Sequence, residues 1–518
     1  MADPMADPMT PAVLPFATIK GLLAAMDQLP ARITDVTANS RDARQGFAFV
    51  AYPGMTRDGR DFISDAITRG ASAVIYDAEN FEWKPEWKVP HIAAINLKSH
   101  ASAIGAHVYG NPSHALWMVG VTGTNGKTSV SQWVAQALQR AGRTSAVLGT
   151  IGNGLVGALT PSDNTTPDAV VLQRTLRELV NAGAATCAME VSSHGLDQGR
   201  VDDVKFDVAV FTNLTRDHLD YHGTMEAYGA AKVKLFLANG LQTAVINVDD
   251  VYGRELANRI AARGIKVIRY ACNGGSKFAD LIGTNLSVSA SGLSFSIRGA
   301  HGVADVESSI LGAFNISNLL AVIGVLLASG ITLQHAAHLA GELTPVPGRM
   351  QTVRAGADNF SDSNKPLVVV DYAHTPDALE KALSTIAAIV GHNGRLISVF
   401  GCGGNRDRGK RPLMGAISAQ YADVTFITSD NPRNENPGVI ISDIEPAMKG
   451  AKYRAIEDRH QAIYEALNEA RAGDIVLIAG KGHEDYQIVG DTKHHFSDVE
   501  EAREALARWT GRKMESAV

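Results

Sequence analysis

A chain of 518 residues, 45% hydrophobic and 20% charged, has material for about three globular domains with real cores. Its net charge of −6 lacks the basic excess of a nucleic-acid binder. Three scattered cysteines, Cys187, Cys272 and Cys402, exclude a disulfide framework or a CxxC zinc site and suit a reducing cytoplasm.

In chain order, MADPMADP is a doubled tetrapeptide, and residues 1–12 are expected to be a disordered leader without the basic and apolar blocks of a signal peptide. An Asn-Pro turn in VYGNPSHALW (108–117), and two prolines with a glycine in GELTPVPGRM (341–350), mark seams near 112 and 346. The expected domains are therefore 13–112, 113–345 and 346–518. Strands are predicted at 116–122, 186–192, 206–212, 243–248, 367–373, 395–401, 423–429 and 474–480, alternating with helical patterns. Runs apolar at every position predict parallel strands covered on both faces, hence an α/β fold with more than one sheet. SVSASGLSFSIRGAHG (287–302) alternates as a two-strand excursion would. LLAVIGVLLASG (319–330) is shorter than the ~20 residues a bilayer needs and predicts a buried helix, so no membrane insertion is expected.

MVGVTGTNGKTSVSQWVAQAL runs from an apolar strand through Gly123-Thr124-Asn125-Gly126-Lys127-Thr128-Ser129 into an amphipathic helix. Glycines let the backbone turn tightly, so its N–H groups converge on phosphate oxygens at the helix start. Lys127 is placed to neutralise the β- and γ-phosphates of ATP, and the Thr128 hydroxyl to ligate Mg²⁺. The loop is a shorter GxxGKT than the usual GxxxxGK[ST], because position 121 is Val121. Such a loop fits kinases, motors, switches and ligases alike.

Three more residues of that domain follow strands or open helices. Glu190 ends a strand in CAMEVSSHG, where a carboxylate is placed to hold Mg²⁺ or its water. His218 lies in TNLTRDHLDYHG and Lys232 in YGAAKVKLF. Taken singly, Glu190 reads as a helix cap, His218 as a turn histidine and Lys232 as a solvated helix lysine. They gain weight together, because the strand pattern brings Glu190 and His218 to one edge of one sheet.

GxxGKT, EVSSHGLDQGR, NLTRDHLDYHG and AAKVKLF, followed by ILGAFNISNLLAV, PVPGRMQ, VVDYAHTPDAL, VFGCGGNRDRGKRPLMG, TSDNPRNENP and AGKGHEDYQ, resemble the signatures of the Mur ligase family in their order. These are ATP-dependent amide-forming enzymes of peptidoglycan precursor synthesis, and the resemblance covers the chain after the leader. It is nearest the branch that adds the third residue of the peptide stem. The resemblance implies three domains: a uridine-nucleotide domain, a central P-loop parallel sheet, and a Rossmann-like domain for the amino acid. It implies catalytic roles for Lys127, Glu190, His218 and Lys232. The metal ligands would be Thr128, Glu190, His218 and a carbamylated Lys232, whose added carboxylate can bind a cation that an ammonium would repel. Asn315, Asn318, Arg349 and Asp371 match positions around the nucleotide. Ala38 and Ser40 match uridine contacts; Asn164, Thr165, Thr166, Ser192, Gln198 and Arg200 match other substrate contacts. The family pattern also implies a monomer.

TSDNPRNENP (428–437) is a loop by its prolines and asparagines, yet it carries Arg433. A guanidinium grips a carboxylate through two parallel hydrogen bonds. By resemblance, DNPR marks enzymes that take meso-diaminopimelate, with Arg433 on the distal carboxylate, stiffened by Pro432 and flanked by Asp430 and Asn431. Arg406, Gly480 and Glu484 match the remaining contacts, Glu484 suiting the distal ammonium. The implied reaction joins this amino acid to the D-glutamate of UDP-N-acetylmuramoyl-L-alanyl-D-glutamate through an acyl phosphate. Rival readings are the same reaction with L-lysine, which DNPR opposes; a folylpolyglutamate synthetase, which the N-terminal NSR text opposes; and an ATP-dependent switch, which would need neither Glu190, His218 and Lys232 nor a carboxylate clamp.

Overall fold

A computed structural model of the protein describes residues 15–55, 57–162, 164–272, 279–289, 291–354, 365–391 and 393–511. The doubled leader, with the expectation for residues 1–12, lies outside them.

Three α/β units follow one another along the chain. The first sheet is all parallel, with β1 (Asp35–Thr37), β2 (Phe47–Ala51), β3 (Ala73–Asp77) and β4 (His91–Ala94) in that spatial order. Residues Ala48, Val50, Ala73 and Ile75 face the helix Leu97–Val108, while Phe49, Ala51 and Val74 face the opposite side. Both faces are covered, and the strands are accordingly apolar throughout.

The central sheet has eleven strands. They are β5 (Trp117–Thr122), β6 (Ser145–Gly149), β7 (Gly152–Leu155), β8 (Ala158–Thr160), β9 (Thr186–Glu190), β10 (Val208–Phe211), β11 (Thr243–Asn247), β12 (Lys266–Ala271), β13 (Leu281–Ser289), β14 (Gly292–Gly299) and β15 (Gly302–Ser308). The spatial order is β15-β14-β13-β12-β11-β10-β5-β9-β6-β7-β8. The core from β13 to β6 is parallel; β7–β8 and β14–β15 extend it antiparallel at either end. The stretch expected to be a two-strand excursion is part of a three-stranded meander, because GVADVES at 302–308, with acidic residues at Asp305 and Glu307, also pairs with β14. An edge strand with one solvated face needs few apolar residues. The apolar run at 319–330 lies largely in the helix Phe314–Ala328, whose residues from Leu319 to Leu326 are all buried against the sheet.

The third sheet runs β16 (Gln351–Val353), β17 (Leu367–Asp371), β21 (Ile475–Ala479), β18 (Leu396–Phe400), β19 (Val424–Ile427) and β20 (Tyr453–Ala455), parallel except for β16. A hairpin, β22 (Tyr486–Val489) with β23 (Thr492–His495), stands beside it. In such sheets ligands bind beyond the carboxyl ends of the strands. The loops after β5, β9, β10, β17, β19 and β21 carry the candidate site residues. Among the described residues no helix is long and apolar enough to cross a membrane.

Candidate active site

The phosphate loop joins β5 to the helix Lys127–Arg140, whose Val130, Trp133, Val134 and Leu138 are buried in the core. Gly126 at φ 87° is left-handed, and a Cβ there would lie 2.5 Å from Asn318 Oδ1, so only glycine fits. Lys127 Nζ donates to the carbonyls of Gly123 (3.0 Å) and Thr124 (2.8 Å), which holds the ammonium inside the loop. Burial pushes its pKa below the usual lysine range. Asn125 N–H bonds to Asn213 Oδ1, and its side chain reaches Asp377 Oδ2 of the third unit at 2.5 Å. Ser129 is buried in the first turn of the helix.

Glu190 ends β9, beside the P-loop strand in register with Val121. It is wholly buried. Its Oε2 accepts from Thr128 Oγ1 (2.8 Å) and Thr150 Oγ1 (3.1 Å), and its Oε1 from Thr150 N–H (2.8 Å). A Cβ on Gly149 would stand 2.2 Å from Oε1, so the glycine makes room for the carboxylate. Arg349 Nη2 donates to the same Thr128 hydroxyl at 3.2 Å, and its guanidinium stacks 4.3 Å over Tyr372. The segment entering the third unit thus touches the nucleotide loop directly.

Lys232, on the helix Met225–Phe236, is 1% exposed and donates to the carbonyl of Gly123 at 2.9 Å. Burial, reinforced by the Lys127 charge, pushes its pKa well down, which favours the neutral amine. The Tyr228 ring lies 4.2 Å from Nζ. His218 follows β10 in a left-handed conformation, φ 53°, with Asp217 at 3.3 Å and the His194 ring at 4.8 Å. Burial lowers its pKa, and that of His194 to about 4. β9 and β10 flank β5 on opposite sides, so Glu190 and His218 approach the loop from different directions, and no hydrogen bond or ion pair joins them among the described residues.

The Asn315 and Asn318 side chains pair at 2.8 Å at the start of their helix, and Asn315 Nδ2 also donates to Leu311 O at 2.7 Å. Asp371 ends β17 and accepts N–H groups from Met350 (2.7 Å) and Ala373 (2.8 Å); burial raises its pKa. Thr165 bonds to Thr150 at 3.0 Å, and Thr166 Oγ1 links Glu190 O to Ser192 N–H, each at 3.0 Å. Asn164 O accepts the Ser162 hydroxyl at 2.9 Å. Arg200 donates to Thr166 O (2.7 Å) and, twice, to Gln198 Oε1 (2.7 and 3.1 Å). Thr165 (through Thr150), Thr166, Ser192, Gln198 and Arg200 therefore form one network that ends on Glu190. Ala38 and Ser40 line a separate cavity of about 310 Å³ with Arg41, Tyr52 and Arg57 of the first unit and Asp168 of the central one.

In the third unit Arg433 has φ 51°, and its N–H and C=O pair with Ile488 O (3.0 Å) and Gly490 N–H (2.8 Å) of the hairpin. Its Nη1 donates to the carbonyls of Gly404 (3.0 Å) and Asn431 (3.4 Å). Among the described residues no carboxylate forms an ion pair with it. Burial lowers its pKa, with the nearby Arg406 charge acting in the same sense. The Asp430 and Glu484 carboxylates oppose both effects without pairing with it, and a half-buried guanidinium with no ion-paired acid is suited to an anion. Glu484 Oε2 accepts from Asn431 Nδ2 at 2.9 Å, and Asp430 and Pro432 belong to the same buried loop. Gly480, φ 121°, begins the facing loop with its N–H on Asp371 O at 3.1 Å. Thr150, Asp217, Tyr228 and Lys481 were absent from the sequence-derived set. Only Asp217, adjacent to His218, carried a local signal.

Fold and loop define a P-loop protein of three α/β units. The model of the Mur ligase family catalytic domain matches residues 32–109, that of the Mur ligase middle domain 121–326, and that of the Mur ligase glutamate ligase domain 348–482. The chain is 49% identical over 487 residues to the UDP-N-acetylmuramoyl-L-alanyl-D-glutamate–2,6-diaminopimelate ligase of Chromobacterium violaceum, covering 94% of this chain and 97% of that one. It is 50% identical to the like-named protein of Neisseria meningitidis serogroup A, over 90% and 94% of the two chains. A solved structure of a ligase of that name matches with a TM-score of 0.65 at 38% identity, covering 92% of this chain and 94% of that one. The chain belongs to the Mur ligase family.

Proposed function

We infer that the protein is an ATP-dependent ligase joining meso-diaminopimelate to the D-glutamate of UDP-N-acetylmuramoyl-L-alanyl-D-glutamate in peptidoglycan precursor synthesis. The observation that carries the choice of amino acid is the Arg433 guanidinium, which has the Arg406 charge near it and forms no ion pair among the described residues. Identity of about half over nearly the whole chain supports the reaction. We further propose 13–112, 113–345 and 346–518 as the uridine-nucleotide, ATP and amino-acid domains, working as a monomer in the cytoplasm.

The chemistry needs a carboxylate to approach a triphosphate. The glutamate carboxylate attacks the γ-phosphorus, the bond to the bridging oxygen breaks, and ADP leaves. The amine then attacks the acyl phosphate carbonyl, and phosphate departs as the amine gives up its proton. Lys127 and the loop N–H groups offset charge on the phosphates. Asn315, Asn318, Arg349 and Asp371 surround the nucleotide on this reading. The Ala38–Ser40 cavity takes the uridine, and Asn164, Thr165, Thr166, Ser192, Gln198 and Arg200 hold the peptide end. Arg406, Asp430, Asn431, Pro432, Arg433, Gly480 and Glu484 orient the amino acid.

Thr128 and Glu190 present a hydroxyl and a buried carboxylate within 2.8 Å of each other, an oxygen set that suits Mg²⁺, which takes few protein ligands and keeps its waters. Bound there, the ion would screen negative charge between the reacting groups. Lys232, favoured as a neutral amine, is suited to carbamylation, in which nitrogen bonds to the carbon of CO₂ and releases a proton. The test is ADP release measured with the uridine-linked dipeptide and the amino acid supplied separately and together. Release is expected only when both are present. Release indifferent to both would favour a nucleotide switch.

A further inference from the structure

The amino-acid region contains a buried cation that the scheme above does not use. Lys481 follows β21, and its side chain is wholly inaccessible. Its Nζ donates to Asn431 Oδ1 and to Glu484 Oε2, each at 3.2 Å, and stands 3.8 Å from Asp430 Oδ1. Asn431 Oδ1 also accepts Ile488 N–H at 2.9 Å. One ammonium therefore ties together the loop after β19, the loop after β21 and the hairpin. Without it, the Asp430 and Glu484 carboxylates would share a poorly solvated space, where like charges repel strongly. Glu484 keeps 15% of its side chain accessible, whereas Lys481 keeps none. A ligand can meet the first and not the second.

We propose that Lys481 is a positioning residue of the amino-acid site, holding Glu484 and Asn431 in the arrangement that receives the distal ammonium of the incoming diamino acid. This rests on the reading of the protein as a diaminopimelate ligase. Lys481 acts through Glu484, and its effect is confined to the amino acid.

The experiment is steady-state kinetics of the full chain with Lys481→Met, Glu484→Gln and the double variant. Losing one charge-assisted contact predicts a KM for diaminopimelate raised about ten- to a hundredfold by Lys481→Met, with the KM for ATP within about twofold of the original. In the Glu484→Gln background the same substitution is expected to add less than about twofold, since the residue it works through is gone. Three results overturn the proposal: an unchanged KM in Lys481→Met, an equal rise in the KM for ATP, or the full penalty repeated in the Glu484→Gln background. If Lys481→Met does not fold, Glu484→Gln against the double variant decides alone. Equal KM values support the proposal, and a tenfold difference overturns it. Unsubstituted protein that fails to turn over diaminopimelate overturns the functional reading as well; normal turnover with any of the three results overturns the proposal alone.

Discussion

Replacing Arg433 by alanine removes the guanidinium and leaves its scaffold. The backbone of Arg433 is held by Ile488 and Gly490, so the loop keeps its anchor to the hairpin after truncation. The lost side-chain bonds are to two carbonyls, Gly404 and Asn431. A distal carboxylate bound here would take two charge-assisted hydrogen bonds, each contributing about 1.5–3 kcal/mol. The half-buried setting puts each at the low end, so the pair is worth about 3 kcal/mol, or roughly a hundredfold in affinity. The KM for diaminopimelate should rise by about that factor in a coupled assay of ADP release, at saturating ATP and uridine-linked dipeptide. The KM for ATP should stay within about twofold, and Arg433→Lys should recover only part of the loss, because an ammonium lacks the fork. A parallel rise in both KM values, or a change under about fivefold for the amino acid, would refute this reasoning and make Arg433 a turn residue.

Lys232→Met should abolish most ligase activity yet raise Tm at neutral pH, since an apolar side chain replaces a buried amine. The folded-state pKa of Lys232 is depressed below 10.5, so the unfolded chain binds the extra proton and wild-type stability rises with pH through that window. The advantage of the variant, followed by thermal melts, is therefore greatest at low pH and shrinks as pH nears 10.5. Glu190→Gln places an amide where Thr128 and Thr150 both donate; a Mg²⁺ titration of ADP release should show half-saturation at about tenfold higher concentration. Ala38→Trp fills the 310 Å³ cavity and should raise the KM for the uridine-linked substrate about tenfold or more without changing that for ATP.

The phosphate loop could be read directly because strand, glycines, Lys127 and helix are contiguous. Glu190 was legible as a carboxylate at a strand end, but its partner Thr150 was not. Thr150 follows β6, and only the spatial order β5-β9-β6 brings it to Glu190. Lys481 escaped for a different reason. Lysine usually reads as solvated, and its burial depends on Asn431, 50 positions earlier in the chain. Alternation in 287–302 indicated strands correctly but missed β15, which pairing with β14 holds in the sheet despite Asp305 and Glu307. The expected strands at 116–122, 186–192 and 206–212 are each trimmed, to Trp117–Thr122, Thr186–Glu190 and Val208–Phe211. The residues trimmed from the ends of the second and third, Val191, Ser192 and Thr212, belong to the loops that carry the site.

The central claim is that Arg433 and Arg406 select a building block with a second carboxylate. Purified protein with ATP, Mg²⁺ and UDP-N-acetylmuramoyl-L-alanyl-D-glutamate should be offered meso-diaminopimelate and L-lysine in separate reactions, with the tripeptide product measured by mass. Without its charged, hydrogen-bonded partner, L-lysine should be used at a kcat/KM lower by about a thousandfold or more. Comparable kcat/KM values for the two amino acids would contradict the claim.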